Sequence, residues 1–167
     1  QQIKDNPNLS DFAQVLEETK IFRQHRKTPV SYADLLSGGQ SFTVIAPVNG
    51  TFDKDALLEM VQTAQGDSVV EKSFVQNHLS RSLNSITKDD KRMLLLNNKY
   101  AETADGMVEG IAITTPNLRA KNGVLHIAAA HIPYERNLYE TLSDDEQLSG
   151  IGAVLHRYDE DYFDADN

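Results

Sequence analysis

The chain offers five histidines and twenty-five acids for chemistry and no cysteine at all. That removes thiolate nucleophiles, disulfides and thiolate metal sites, but it does not assign a compartment, because cysteine-free exported domains are ordinary. His78 closes a run in which Val70, Phe74 and His78 recur at four-residue spacing with Val75 and Leu79 alongside, so its ring faces the interior of a helix-packed layer. No serine or aspartate is placed to make a relay with it, and a core histidine hydrogen-bonded to backbone is the expectation. His126 and His131, five residues apart, fall on opposite faces of an uninterrupted strand. Joined with His156 and lacking any thiolate, they make a poor zinc set. The acidic run Asp159 to Asp164 lacks the glycine and the terminal glutamate of a calcium loop, so a solvated acidic segment is expected, with loose divalent-cation binding the minor reading. No phosphate-cradling glycine loop, nucleophile elbow or zinc-protease histidine pair is present. The expectation is therefore a chain without catalytic residues, metal or cofactor. A hydrolase with a pocket centred on His78 or His126 is the rival that chemistry alone would suggest.

At 167 residues and 40% apolar content the chain suits one ordinary domain, or one domain and a piece of another. No window approaches the roughly 18 apolar residues of a membrane span. No signal peptide precedes Gln1, so any export signal or anchor is expected outside this stretch. The net charge of −9 is unevenly held: from Asp144 to Asn167 eight acids face Arg157 alone, which leaves the other residues at only −2. Neither part carries the basic stripe that phosphate binding needs, and nucleic acid is excluded as a partner.

The elements that must position these side chains are organised around Ser41 to Phe52. Phe42, Val44 and Ala46 alternate with Thr43 and Ile45, giving a central strand apolar on both faces, which Pro47 ends. Phe52 anchors the joint just before a helix opens at Asp53. Upstream, a helix with Asn8 or Ser10 as cap is expected to run to about Arg23, its last turn solvated by Arg23, His25, Arg26 and Lys27. Pro29 breaks the run, Ser31 and Asp34 cap a short helix through Leu36, and Gly38-Gly39 end it. Downstream, a helix carrying Ala56, Leu57, Met60, Val61 and Ala64 should stop at Gly66, and Ser68 with Glu71 should cap the next. From Leu83 the period becomes that of strands: 83–87, 92–96, 99–104, 107–114, 118–121 and 124–128. Breaks fall at Asn97-Asn98, Asp105-Gly106, Pro116-Asn117 and Asn122-Gly123. Asn-Gly and Asp-Gly suit tight hairpins, in which both central residues need positive φ. Helices followed by a strand meander predict an α+β domain. Past Pro133 an apolar helical stretch, Leu138 to Leu155, leads into the acidic tail.

The decapeptide Thr43 to Phe52, TVIAPVNGTF, resembles the first signature motif of the fasciclin domain family. Asn122-Gly123-Val124-Leu125-His126-Ile127 is similar to the family's second motif, and Asn77-His78 is similar to a pair the family places between them. The resemblance implies a wedge-shaped β-sandwich with N-terminal helices packed on one side, spanning 1–137, with 138–167 a helical acidic linker or the start of a following domain. It marks Thr43, Ala46, Pro47, Asn49, Phe52, His78, Asn122, Gly123 and His126 as structural motif residues. It further implies an exported, non-catalytic adhesion or protein-interaction module at the cell surface, held there in some members as a lipoprotein. Its partners would be an extracellular protein or glycan ligand and an adjacent fasciclin-like domain. A surface carbohydrate-binding module is the alternative, with Tyr100, Tyr134, Tyr139 and Tyr158 as available aromatics. The chain departs from the family after Ile127, where Ala128-Ala129-Ala130-His131-Ile132-Pro133 lacks the usual aspartate, and it contains no Arg-Gly-Asp triplet. Asn8-Leu9-Ser10 and Asn49-Gly50-Thr51 match glycosylation acceptors, a pattern that chance often supplies.

Overall fold

Every residue of strand β3 (Phe42–Pro47) is buried, and this strand is the spine on which the rest is assembled. The structure is a computed structural model and describes residues 2–23, 26–137 and 140–141. The chain divides into two compact units, residues 1–132 and 133–167.

In the first unit a 3₁₀ turn (Pro7–Leu9) leads into α1 (Ser10–Glu18), whose Phe12, Val15 and Leu16 are buried. The helix ends five residues sooner than its periodicity predicts. Thr19 turns extended, sends both its N–H and its Oγ1 to the carbonyl of Val15, and hands over to a hairpin of β1 (Lys20–Arg23) and β2 (Arg26–Ser31). Arg26 and Lys27 therefore belong to a strand, not to a helix terminus, while His25 lies outside the described residues. Pro29 falls in the irregular stretch of β2, where its missing N–H breaks no regular ladder. Helix α2 (Tyr32–Ser37) has the expected Ser31/Asp34 capping box.

After β3, α3 (Lys54–Met60) is capped by Asp53, and α4 (Ala64–Val70) by Thr63. Gly66 does not stop a helix; it sits in the first turn of α4 and donates to the Thr63 hydroxyl at 3.0 Å. A Cβ there would lie 2.0 Å from the carbonyl oxygen of Met60, so the close α3–α4 junction admits only glycine. The Ser68/Glu71 box is not formed, because Ser68 is already inside α4 and Glu71 turns toward β1. α4 continues as a π turn (Glu71–Val75) and a 3₁₀ turn (Gln76–His78).

The remaining strands are β4 (Leu79–Ser80), β5 (Lys91–Leu94), β6 (Tyr100–Ala104), β7 (Met107–Val108), β8 (Ile111–Ala120) and β9 (Gly123–Ala128). Their order is β4-β3-β9-β8-β7-β6-β5, with β3 and β9 parallel and the other neighbours antiparallel. The sheet curls until its ends meet: Leu96 N donates to Leu79 O at 2.9 Å and Ser80 Oγ to Leu94 O at 2.6 Å. Closure of this kind leaves little open edge and creates two cores. One, with Phe12, Leu16, Phe42, Val44 and Phe74, lies between helices and sheet; the other, with Ile45, Met93, Ala101, Val108 and Ala128, lies inside the curl.

Three strand expectations are corrected. Residues 83–87 form a loop, not a strand. Pro116-Asn117 is no break but an irregularity within β8, where Asn117 takes φ 61° and bonds Ile86 through both ends of its amide, at 3.0 Å each. The run 107–114 is split by a turn at Glu109-Gly110, with φ 48° and 73°, a geometry shared by the expected turn at Asp105-Gly106. The central residues of the β8–β9 turn are Lys121 and Asn122, since Ala120 pairs with Gly123. Gly123 already belongs to β9, where a Cβ would come 2.0 Å from Phe42 O. Its requirement is close strand approach, not turn conformation.

In the second unit Asn137 and Glu140 cap each other: Asn137 N donates to Glu140 Oε2 at 2.9 Å and Glu140 N to Asn137 Oδ1 at 2.8 Å. Apart from residues 140 and 141, the predicted helical stretch and acidic tail lie outside the described residues. Among the described residues no helix is long and apolar enough to cross a membrane.

Candidate functional site

The first motif ties β3 to elements far away in sequence. Thr43, fully buried, donates its hydroxyl to Ser82 O at 2.6 Å and accepts from Asn84 N at 2.9 Å, which fixes the loop after β4. Ala46 is buried without exposed surface, and past Pro47 the amide of Val48 bonds Ala128 O. Asn49 works across 38 residues: its Oδ1 accepts from Asp11 N at 3.0 Å, and its Nδ2 donates to Pro7 O at 2.9 Å and Ser10 Oγ at 2.8 Å. The N-cap residue of α1 is Leu9, which has no side chain able to cap. Asn49 thus does the capping from another element. Phe52 is half-buried rather than fully buried, with its ring 4.9 Å from that of Phe74.

His78 and His126 are both without exposed surface, and both ring nitrogens of each meet backbone. His78 Nδ1 donates to Phe74 O at 2.7 Å, and its Nε2 accepts from Ile132 N at 2.9 Å. His126 has the opposite tautomer: Nδ1 accepts from Asn117 N at 3.0 Å, and Nε2 donates to Asn84 O at 2.8 Å. Each ring is neutral and locked, since protonation would bring an N–H against an N–H. Burial, against the Phe74 carbonyl's opposing pull, pushes His78 down to about 4, and burial likewise lowers His126. Neither ring has a nitrogen left to take a proton from a substrate. His131 Nδ1 donates to Thr51 O at 2.8 Å, and His156 lies outside the described residues.

Asn122 does more than form a turn. Its Nδ2 reaches the carbonyls of Leu36, Gly38 and Gln40 at 2.7, 3.1 and 3.4 Å, and its own carbonyl accepts from Phe42 N at 3.1 Å. The side chain closes the C-terminal end of α2 while the main chain starts the β3–β9 ladder.

Sequence reasoning missed a buried polar network behind the β1–β2 hairpin. Asp67 Oδ1 accepts from Lys20 N at 3.1 Å and lies 3.4 Å from Lys27 Nζ, while its buried Oδ2 has no partner among the described residues. Both oxygens of Glu71 accept from Phe22 N at 3.2 Å, and Oε1 also takes the Tyr32 hydroxyl at 2.6 Å. Burial raises the Glu71 carboxyl and the Tyr32 phenol above their ordinary values. These carboxylates satisfy N–H groups of β1 that would otherwise stand at an open strand edge. The four-residue spacing of Asp67 and Glu71 was visible, but nothing in it pointed to a strand 47 residues earlier.

An apolar cavity of about 90 Å³ lies between α1, α2 and the β3–β9 pair, with Leu16, Leu36, Val44 and Val124 in its wall. No histidine or acid lines it, so it is not the histidine-centred pocket a hydrolase would need. Among the described residues no three His, Asp or Glu side chains gather so as to hold a metal ion. On the outer face of the β5–β6 hairpin, Leu94 and Tyr100 are direct cross-strand partners, 43% and 62% exposed, beside the Arg92–Glu102 ion pair at 3.0 Å. Among the described aromatics Tyr100 alone stands out from the surface; Tyr134 gives its hydroxyl to Glu140 at 2.6 Å, and Tyr139 and Tyr158 lie outside the described residues.

Helices gathered on one side of a curled mixed sheet, with one parallel pair, β3–β9, among antiparallel neighbours, define a fasciclin-like α+β fold. Among solved structures the chain is similar to a FAS1 domain pair from the insect cell adhesion molecule fasciclin I, at 13% identity and TM-score 0.50. The match covers 89% of this chain and 53% of that one, so the chain spans about half the length of its structural relative. No family model matches the chain, and no curated protein matches it by sequence.

Proposed function

We propose that this chain is a fasciclin-family module that acts in adhesion or protein interaction at the surface of the cell, without catalysis. The observation that carries this reading is the fold likeness to a domain pair from a cell adhesion molecule. Fold alone does not dictate use, so the residues must agree with it. They do so in one respect: the ionisable groups of the motifs are spent on backbone, which leaves recognition to the surface. In this reading Thr43, Ala46, Pro47, Asn49, Phe52, His78, Asn122, Gly123 and His126 serve architecture. Residues 1–137 form the module, 138–167 lead toward a neighbouring domain of the same kind, and the ligand is an extracellular protein or glycan. The Leu94–Tyr100 pair is the contact surface we favour, as an exposed tyrosine with Arg92 on the same hairpin has the composition of an interaction hot spot and Leu94 extends its apolar face.

The test displays the chain on beads and scores binding to immobilised extracellular matrix proteins and to a glycan array, with Tyr100→Ala and Leu94→Ser as variants. Matrix binding that falls at least about tenfold in the variants, with unchanged melting curves, is the expected result; tenfold corresponds to about 1.4 kcal/mol at a hot spot. Glycan binding without protein binding would fix the ligand as a glycan and favour the carbohydrate-binding alternative over adhesion to protein. A hydrolase activity abolished by His78→Ala in a folded protein would overturn it.

A further inference from the structure

We propose that Asn122 is a site of spontaneous deamidation, a chemical modification that the native fold holds back and that, once made, unfastens α2 from the β3–β9 pair. The chain contains two Asn-Gly steps, Asn49-Gly50 and Asn122-Gly123. Glycine after asparagine is the sequence most open to this chemistry, because no side chain hinders the approach of the following amide nitrogen. In the reaction the backbone nitrogen of Gly123 gives up its proton and bonds to Cγ of Asn122. The Cγ–Nδ2 bond breaks, and the side-chain nitrogen leaves as ammonia with that proton. Water then opens the five-membered imide at either carbonyl, giving aspartate or isoaspartate.

Both partners of the first step are held in the fold. The Asn122 amide group is occupied by Leu36 O, Gly38 O and Gln40 O, and must leave all three to turn back on its own chain. The Gly123 backbone is clamped against Phe42, so tightly that a Cβ would lie 2.0 Å from Phe42 O, and it is paired with Ala120 on its other side. Attack therefore needs a local opening of the α2 end and the β8–β9 turn. The product cannot re-form the native contacts. A carboxylate accepts only, and here it would face three carbonyl oxygens instead of donating to them. Isoaspartate adds a backbone carbon ahead of the carbonyl that Phe42 N now meets at 3.1 Å. Asn49 is the internal contrast. An aspartate there would keep the bond from Asp11 N, could accept from the Ser10 hydroxyl, and would put negative charge at the start of α1, losing only the donation to Pro7 O.

The experiment incubates the whole chain at mildly alkaline pH and maps Asn122 and Asn49 by peptide mass spectrometry, in buffer and in denaturant. The more acidic aged form is separated by ion exchange and its melting curve recorded beside those of N122D and N49D. Expected are deamidation at Asn122 slowed about tenfold or more by the fold, and an aged form and N122D that melt clearly below the unmodified chain, while N49D melts close to it. If N122D does not fold, the aged form carries the comparison. Equal rates at Asn122 in buffer and denaturant, or an aged form that melts with the unmodified chain, would overturn the proposal.

Discussion

Acid should unfold this protein partly through a single histidine. His78 is fully buried against the rings of Phe12 and Phe74, at centroid distances of 5.8 and 4.8 Å, and its neutral form is held by one donated and one accepted hydrogen bond. In the unfolded chain it titrates near the ordinary 6.5, whereas in the fold burial lowers it to about 4. A group whose folded value is depressed binds protons mainly in the unfolded state, so its contribution is intact above pH 6.5 and is lost as pH falls toward 4. At about 1.4 kcal/mol per pH unit, that window amounts to about 3 kcal/mol, a large share of the stability of an ordinary domain. His126, lowered in the same direction, steepens the loss. The measurement is urea unfolding at pH 7, 6, 5 and 4 for the wild type and for His78→Gln, which does not titrate. His78→Gln will be the less stable at pH 7, and its deficit should shrink by about 3 kcal/mol on reaching pH 4. Parallel curves across that range would mean that the neutral, doubly bonded imidazole is not what the fold selects.

Asn49→Ala removes a helix cap and two donations, and should destabilise by about 2 kcal/mol, the usual value of a cap with part of its supporting bonds. A double-mutant cycle with Ser10→Ala should show coupling of about 0.5 kcal/mol or more, and strict additivity would contradict the contact. Phe52→Ala should destabilise by about 2 kcal/mol in thermal or urea melts, below the range for a fully enclosed phenylalanine because the ring is half-buried where it packs on Phe74 and the core around it. A loss under about 0.5 kcal/mol would show that the ring does not pack as described.

Much of the local chemistry is written in the residues themselves. The two-faced apolar strand Phe42–Pro47, the Ser31/Asp34 box, the Asp105-Gly106 turn and the inward face of Val70, Phe74 and His78 are all short-range matters. Periodicity, capping and backbone sterics act within a few residues and can be read in order along the chain. Where Ile21 and Phe22 go is a different matter. They fall in the run expected to be helical, yet they lie in β1, which pairs with β2 through Lys20, Phe22 and Arg23 because Asp67 and Glu71 wait for the amides of Lys20 and Phe22, and that is decided only when α4 packs. The same holds for Asn49 and Asn122, legible as turn or motif residues but used as remote caps for α1 and α2. A hydrogen bond between residues 38 or 86 apart in sequence leaves no periodic trace, since its partner is chosen by which surfaces meet after collapse. The sequence alone settled which faces were apolar and where the shortest-range cap and turn, Ser31/Asp34 and Asp105-Gly106, would form. The tertiary structure decided that both motif histidines would be neutral, because only a finished core can surround a ring with backbone and exclude the water that would charge it.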